Sequence, residues 1–125
     1  MHDEIRIISS TWFKQELLRL PEKQQTRIRR RLGMLAVKGW MASIADGTID
    51  HLRDGIWEMR VAGPGAAYRI FFFPAPRRVM RTLVLATAVP KSAADKQRLL
   101  DLEIERAKRR RDEWIAQNRK GDDEG

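Results

Sequence analysis

The stretch Ile56-Trp57-Glu58-Met59-Arg60-Val61, a Gly63-Pro64-Gly65 break and Ala67-Tyr68-Arg69-Ile70-Phe71-Phe72-Phe73 decide the fold. In the first piece the residue types alternate by two, with Trp57, Met59 and Val61 on one side and Ile56, Glu58 and Arg60 on the other. That period is the signature of an extended strand, not a helix. The second piece alternates in the same way, Tyr68, Ile70 and Phe72 opposing Arg69, Phe71 and Phe73. Gly-Pro-Gly between them supplies a turn. Pro74-Ala-Pro-Arg77-Arg78 leads into a third apolar run, Val79 to Val89, rich in β-branched residues and closed by Pro90. A proline cannot donate to a strand ladder, so the run ends there. The three pieces predict an antiparallel meander.

Working outward, Ile5-Arg6-Ile7 is a short alternating strand, followed by Ser9, Ser10 and Thr11 as hydroxyl caps for a helix. Phe13, Leu17 and Leu20 form one apolar stripe. Pro21 suits the first turn of a second helix, whose stripe is Ile28, Leu32 and Leu35 and whose stop is Gly39. Residues 39–54 contain many turn formers (Gly39, Asp46, Gly47, Asp54-Gly55) and are expected to form a loop. A last helix is predicted from about Asp95 to Asn118, with Leu100, Ile104, Ala107 and Trp114 along one side. The predicted order is β-α-α-β-β-β-α, an α+β domain in which helices pack on one face of a small, mostly antiparallel sheet. One domain over residues 1–118 and a charged, disordered tail at 119–125 account for the chain.

Composition narrows the function classes. In 125 residues, 25 Lys plus Arg outweigh 17 Asp plus Glu, giving +8 at pH 7. Such a balance points to an anionic partner, nucleic acid first. No cysteine is present, so disulfides, thiol nucleophiles and Cys-zinc sites are excluded. Two histidines, His2 and His51, give little support to a metal site. No run approaches the roughly 20 apolar residues of a membrane span, and the opening Met1-His-Asp-Glu4 does not read as a signal peptide. A cytoplasmic protein without membrane partners is expected.

The meander brings Arg60 and Arg69 onto neighbouring strands, with Glu58 beside Arg60 and with Phe71 and Phe73 beside Arg69. Lys91 follows the third strand, and Arg81, Arg77 and Arg78 precede or open it. Cations for phosphates and rings for bases are what single-stranded RNA recognition uses. The alternative is that Glu58, Arg60 and Arg69 simply pair across strands, and composition and spacing alone favour this alternative. The basic runs Arg27–Arg31 and Lys108–Arg111 read either as solvated helix faces or as contacts to ribosomal RNA.

Leu52-Arg-Asp-Gly-Ile-Trp-Glu-Met-Arg60, then Tyr68-Arg-Ile-Phe71, then Val89-Pro-Lys91, resemble the RelE/ParE superfamily, in particular its HigB-like, phage-derived branch of type II toxin–antitoxin toxins. The resemblance implies a RelE-like fold and a translation-inhibiting, ribosome-dependent mRNA endoribonuclease that uses no metal or cofactor. By the same resemblance Arg69 holds the scissile phosphate, Arg60 makes a second phosphate contact and Lys91 stabilises charge or gives a proton. Since an arginine stays charged and is no base, Glu58, the only nearby carboxylate, is assigned that role. Arg81, Phe71, Phe73, Arg77 and Arg78 are the expected nucleic-acid contacts. The implied partners are a cognate antitoxin, usually a helix-turn-helix protein, and mRNA on the ribosome. The sequence departs from the branch in having one lysine after the last strand and no Tyr or His near the C-terminus, where Trp114 is the only aromatic. Those absences keep two other functions in view: a ParE-like DNA gyrase inhibitor that cuts nothing, and an inert antitoxin-binding module.

Overall fold

A computed structural model describes residues 4–76 and 81–124, with side chains described as far as Asn118. The chain runs β1 (Arg6–Ser9), α1 (Thr11–Leu18), α2 (Glu22–Lys38), α3 (Trp40–Ala45), β2 (Ile49–Arg53), β3 (Ile56–Gly63), β4 (Ala66–Pro74), β5 (Thr82–Pro90), a 3-10 turn at Lys91–Ala94 and α4 (Gln97–Glu124). Five strands make one sheet in the order β1-β5-β4-β3-β2. The pairs β2–β3, β3–β4 and β4–β5 are antiparallel, and β1 joins β5 in parallel. The α+β class and the mostly antiparallel sheet are as the sequence predicts.

Local chemistry accounts for the boundaries. The Ser10 hydroxyl accepts from the Phe13 amide at 3.1 Å and caps α1. Pro21 caps α2, one residue outside its expected place, and Gly39 ends α2 with φ 91°, a conformation that strongly favours glycine. The segment expected as a loop contains both α3 and β2. Arg53 pairs with Ile56, so Asp54 and Gly55, both at positive φ, form a two-residue hairpin turn. A register shift between His51 and Arg53 bulges β2. Expected residues Val79 and Met80 of the third strand lie outside the described residues. The last helix continues to Glu124, past the expected end near Asn118, since no proline intervenes.

The placement of the helices differs from expectation. Helices α1–α3 cover one face, where Phe13, Leu17, Ile28, Leu35 and Trp40 meet Met59, Ile70, Phe72, Leu83 and Leu85. The opposite face is not open, because α4 lies on it through Ile104, Ala107 and Trp114, against Phe71, Phe73, Val84 and Ala86. A strand with rings on both sides needs apolar cover on both, and the stripe on α4 supplies the second layer.

Removing the Ser10 hydroxyl (Ser10→Ala) should cost about 1 kcal/mol. Phe72→Ala, which opens a cavity beneath α1–α3, should cost about 3–5 kcal/mol. Urea unfolding followed by circular dichroism distinguishes the two.

Candidate functional site

Register builds the site. Arg60 on β3 stands directly opposite Arg69 on β4, which stands opposite Val89 on β5. Two guanidinium groups in one cross-strand pair repel. Glu58, two residues before Arg60 and on the same face, relieves that repulsion. Its Oε2 accepts from Arg69 Nη1 at 2.8 Å and its Oε1 from Arg60 Nε at 3.1 Å. The carboxylate therefore bridges both arginines.

Burial separates the three. The Glu58 side chain is 1% exposed and that of Arg69 10%, whereas Arg60 is 60% exposed. The 3-10 turn and α4 pack over this face of β4, and Ala94 and Ile104 belong to the same buried cluster as Phe71 and Val89. The Arg69 Nε has no hydrogen-bond partner. Lys91 opens the 3-10 turn, is exposed, and lies two residues beyond Val89. Arg60 and Arg69 thus sit side by side near the middle of β3 and β4, and Lys91 follows the end of the adjacent β5, two residues beyond the partner of Arg69, with Arg60 and Lys91 exposed.

The chain matches the family model described as phage derived protein Gp49-like over residues 15–112, most of its length. It belongs to the Gp49-like family of phage-derived proteins. The match agrees with the phage-derived, HigB-like resemblance carried by Trp57-Glu58-x-Arg60 and Tyr68-Arg69-Ile70. A chain of the RelBE2 toxin–antitoxin complex from Mycobacterium tuberculosis is similar in structure, with a TM-score of 0.48 and 14% identity over 70% of this chain and 98% of that one. No curated protein matches the sequence.

Several expected contacts of this Gp49-like chain stand elsewhere. Phe71 and Phe73 are fully buried under α4, the latter edge-on to Trp114 at 5.9 Å, so their rings are core and offer no stacking surface for bases. Arg81 precedes β5 at the far end of the sheet, its guanidinium 4.5 Å from the centre of the Trp40 ring. At about 3.3 Å per residue, the ten residue steps from Arg81 along β5 to Lys91 put the two roughly 30 Å apart. Arg77 and Arg78 lie outside the described residues. Among the described residues no group of His, Asp and Glu is arranged to hold a metal ion, and no helix is long and apolar enough to cross a membrane.

The basic run near the C-terminus clamps α4. Lys108 donates to Asp54 at 3.1 Å and holds that carboxyl below its ordinary range, while Arg111 donates to the Asp54 carbonyl. Arg110 turns inward to the Ala86 carbonyl, Thr87 Oγ1 and Glu16 Oε1, all near 3 Å. The Glu16 carboxylate also accepts from the Ala88 amide at 3.1 Å, tying α1, β5 and α4 together. No sequence pattern announces this cluster, because Glu16 and Arg110 are 94 residues apart.

Glu58→Gln should cost about 3–5 kcal/mol by leaving Arg69 buried without its counter-charge, whereas Glu58→Leu with Arg69→Met should recover most of that loss. Arg60→Ala should cost at most about 1 kcal/mol. Urea titration of the four proteins checks the order. Burial also raises the Glu103 carboxyl above its ordinary value of 4.5. A raised folded-state value favours the fold below that pH, and the advantage is lost as pH rises through the folded value. Glu103→Gln should therefore raise the melting temperature at pH 7 and leave it unchanged near pH 3.

Proposed function

We propose that this chain is the toxin of a type II toxin–antitoxin system and acts as a ribosome-dependent mRNA endoribonuclease. What supports the reading is the cross-strand pair Arg60–Arg69, with Lys91 two residues beyond the β5 partner of Arg69, in a family whose phage-derived character the sequence motifs already suggested. In this reading the ribose 2′-oxygen forms a bond to the adjacent phosphorus, the bond from phosphorus to the 5′-oxygen breaks, and a 2′,3′-cyclic phosphate and a 5′-hydroxyl result. Arg60 binds the non-bridging oxygens, and an exposed guanidinium that is always charged suits that task. Arg69 orients the phosphate from behind Arg60. Lys91 offsets charge on the leaving 5′-oxygen and supplies its proton. Glu58 takes the proton of the 2′-hydroxyl, which requires the 3-10 turn and the start of α4 to move aside. The partners are mRNA on the ribosome and a cognate antitoxin, of helix-turn-helix type by family resemblance, and the site of action is the cytoplasm. The 1–118 unit is the toxin domain, with 119–125 a charged tail beyond it.

One observation favours a second reading. Both Glu58 oxygens are engaged, and Glu58 and Arg69 are buried on the sheet face that the 3-10 turn and α4 cover. A protein that never opens this cover would instead be a ParE-like DNA gyrase inhibitor or an inert antitoxin-binding module.

Inducing the chain alone should arrest growth, and mapping transcript 5′ ends should find cuts inside translated codons. Arg60→Ala and Lys91→Ala should each reduce cutting about 10- to 100-fold, the loss of one charged contact of about 1.5–3 kcal/mol. Intact messages with DNA damage would support the gyrase inhibitor, and unimpaired growth the inert module.

A further inference from the structure

Gly63 and Gly65 flank Pro64 in the turn between β3 and β4, but glycine is needed at the two positions for different reasons. Gly65 stands at φ 82°, which favours glycine. Gly63 still belongs to β3, pairs with Ala66 and is not at positive φ. Its backbone makes no demand for glycine, whereas the space above it does. A Cβ on Gly63 would stand 2.5 Å from Arg27 Cζ and 2.6 Å from Arg27 Nε and Nη1. The guanidinium of Arg27, on α2, thus occupies the place that any other residue at 63 would fill.

From that place Arg27 grips the turn. Its Nη2 donates to the Pro64 carbonyl at 3.2 Å and its Nη1 to the Ala66 carbonyl at 3.4 Å. Nη1 also donates to Gln24 Oε1 at 2.8 Å, which braces the side chain from its own helix. Within the basic run 27–31 Arg27 is half-buried and committed to these carbonyls, while Arg29, Arg30 and Arg31 are exposed.

The gripped segment extends past its neighbours in the sheet. Among the described residues β2 pairs with β3 no further than Met59, and β5 with β4 no further than Tyr68. Ala62 and Gly63 with Ala66 and Ala67 therefore form a two-stranded overhang, and a ribbon of two strands is marginal in water. Arg60 and Arg69 form the pair three steps inward from Gly63 and Ala66, about 10 Å away. Between them Tyr68 pairs with Pro90 of β5, and Lys91 is the next residue. An overhang that frays or swings would shift both guanidinium groups relative to Lys91.

We propose that Arg27 is a positioning residue: seated in the space that Gly63 leaves, it holds the β3–β4 overhang on α2 and so fixes Arg60 and Arg69 relative to Lys91. The inference rests on the reading in which those three cations act on the phosphate. It assigns Arg27 no contact with RNA.

The test uses the full chain and two substitutions that reach the same contact from opposite sides. Arg27→Ala removes the guanidinium, whereas Gly63→Ala keeps its charge and takes its place, displacing only the end of a flexible side chain. Each should speed amide exchange at 62–67 about tenfold and shift the Nε–H cross-peaks of Arg60 and Arg69 in 15N spectra. On translating ribosomes each should lower kcat about 10- to 100-fold and leave KM unchanged, as misplaced catalytic groups do. The double variant should be no worse than either single one, because both break one contact. Ser10→Ala, destabilised far from the turn, should cut at the wild-type rate, which separates positioning from lost stability. Cutting by Gly63→Ala at the wild-type rate would overturn the proposal, as would unchanged cross-peaks and exchange in both variants. A raised KM in Arg27→Ala alone would also overturn it, since Arg27 would then touch RNA directly. A wild-type chain that cuts nothing would remove the nuclease reading instead, and the exchange rates and cross-peaks would still decide whether Arg27 sets the position of the two arginines.

Discussion

The rest of the molecule depends on β4 being apolar on both of its faces. Ile70 and Phe72 need cover on one side and Phe71 and Phe73 on the other. One layer of helices cannot satisfy both, so the chain closes the second side with its own last helix. The face that α4 takes is also the face carrying Glu58, Arg60 and Arg69. Core packing and the arrangement of the cationic end are therefore set by the same strand.

That coupling gives the Glu58 carboxylate two effects. Within the sheet it neutralises a cross-strand pair of like charges, and beneath α4 it keeps a guanidinium from being buried alone. The ion pair is an arrangement of necessity: once Arg69 lies under a helix, a counter-charge must accompany it. Arg60, at the margin of the cover, keeps its guanidinium in water while still tethered to the same carboxylate. The result is a graded site, with one cation outside, one inside and a single anion holding both.

Much of this was legible in the sequence. Strict alternation in 56–61 and 67–73 placed β3 and β4 and put Arg60 and Arg69 on one face, as the register confirms. The same parity puts Phe71 and Phe73 beside Arg69, but periodicity cannot say what lies over a face, so it leaves available two rings that α4 covers. The missing information was tertiary: Leu100, Ile104, Ala107 and Trp114 announce that α4 has an apolar side and leave open which sheet face it seeks. β2 and α3 escaped for a local reason. Turn formers crowd residues 39–54 and the elements between them are only five and six residues long. The Asp54-Gly55 pair was a hairpin signal, one that Ile49 to Arg53 on its other side could have completed. Contacts such as Glu16 with Arg110 leave no trace in a single sequence.

The bulge in β2 has a consequence for how this molecule can meet others. β1 and β2 form the two margins of the sheet. β1 offers four residues, and β2 offers five that are kinked and studded with Asp50, His51 and Arg53. Neither margin presents the long, flat row of free amides and carbonyls onto which a foreign strand could zip. Growth of the sheet into fibrils or swapped ladders is discouraged at both ends, and association is left to side chains on helices and on the cationic end.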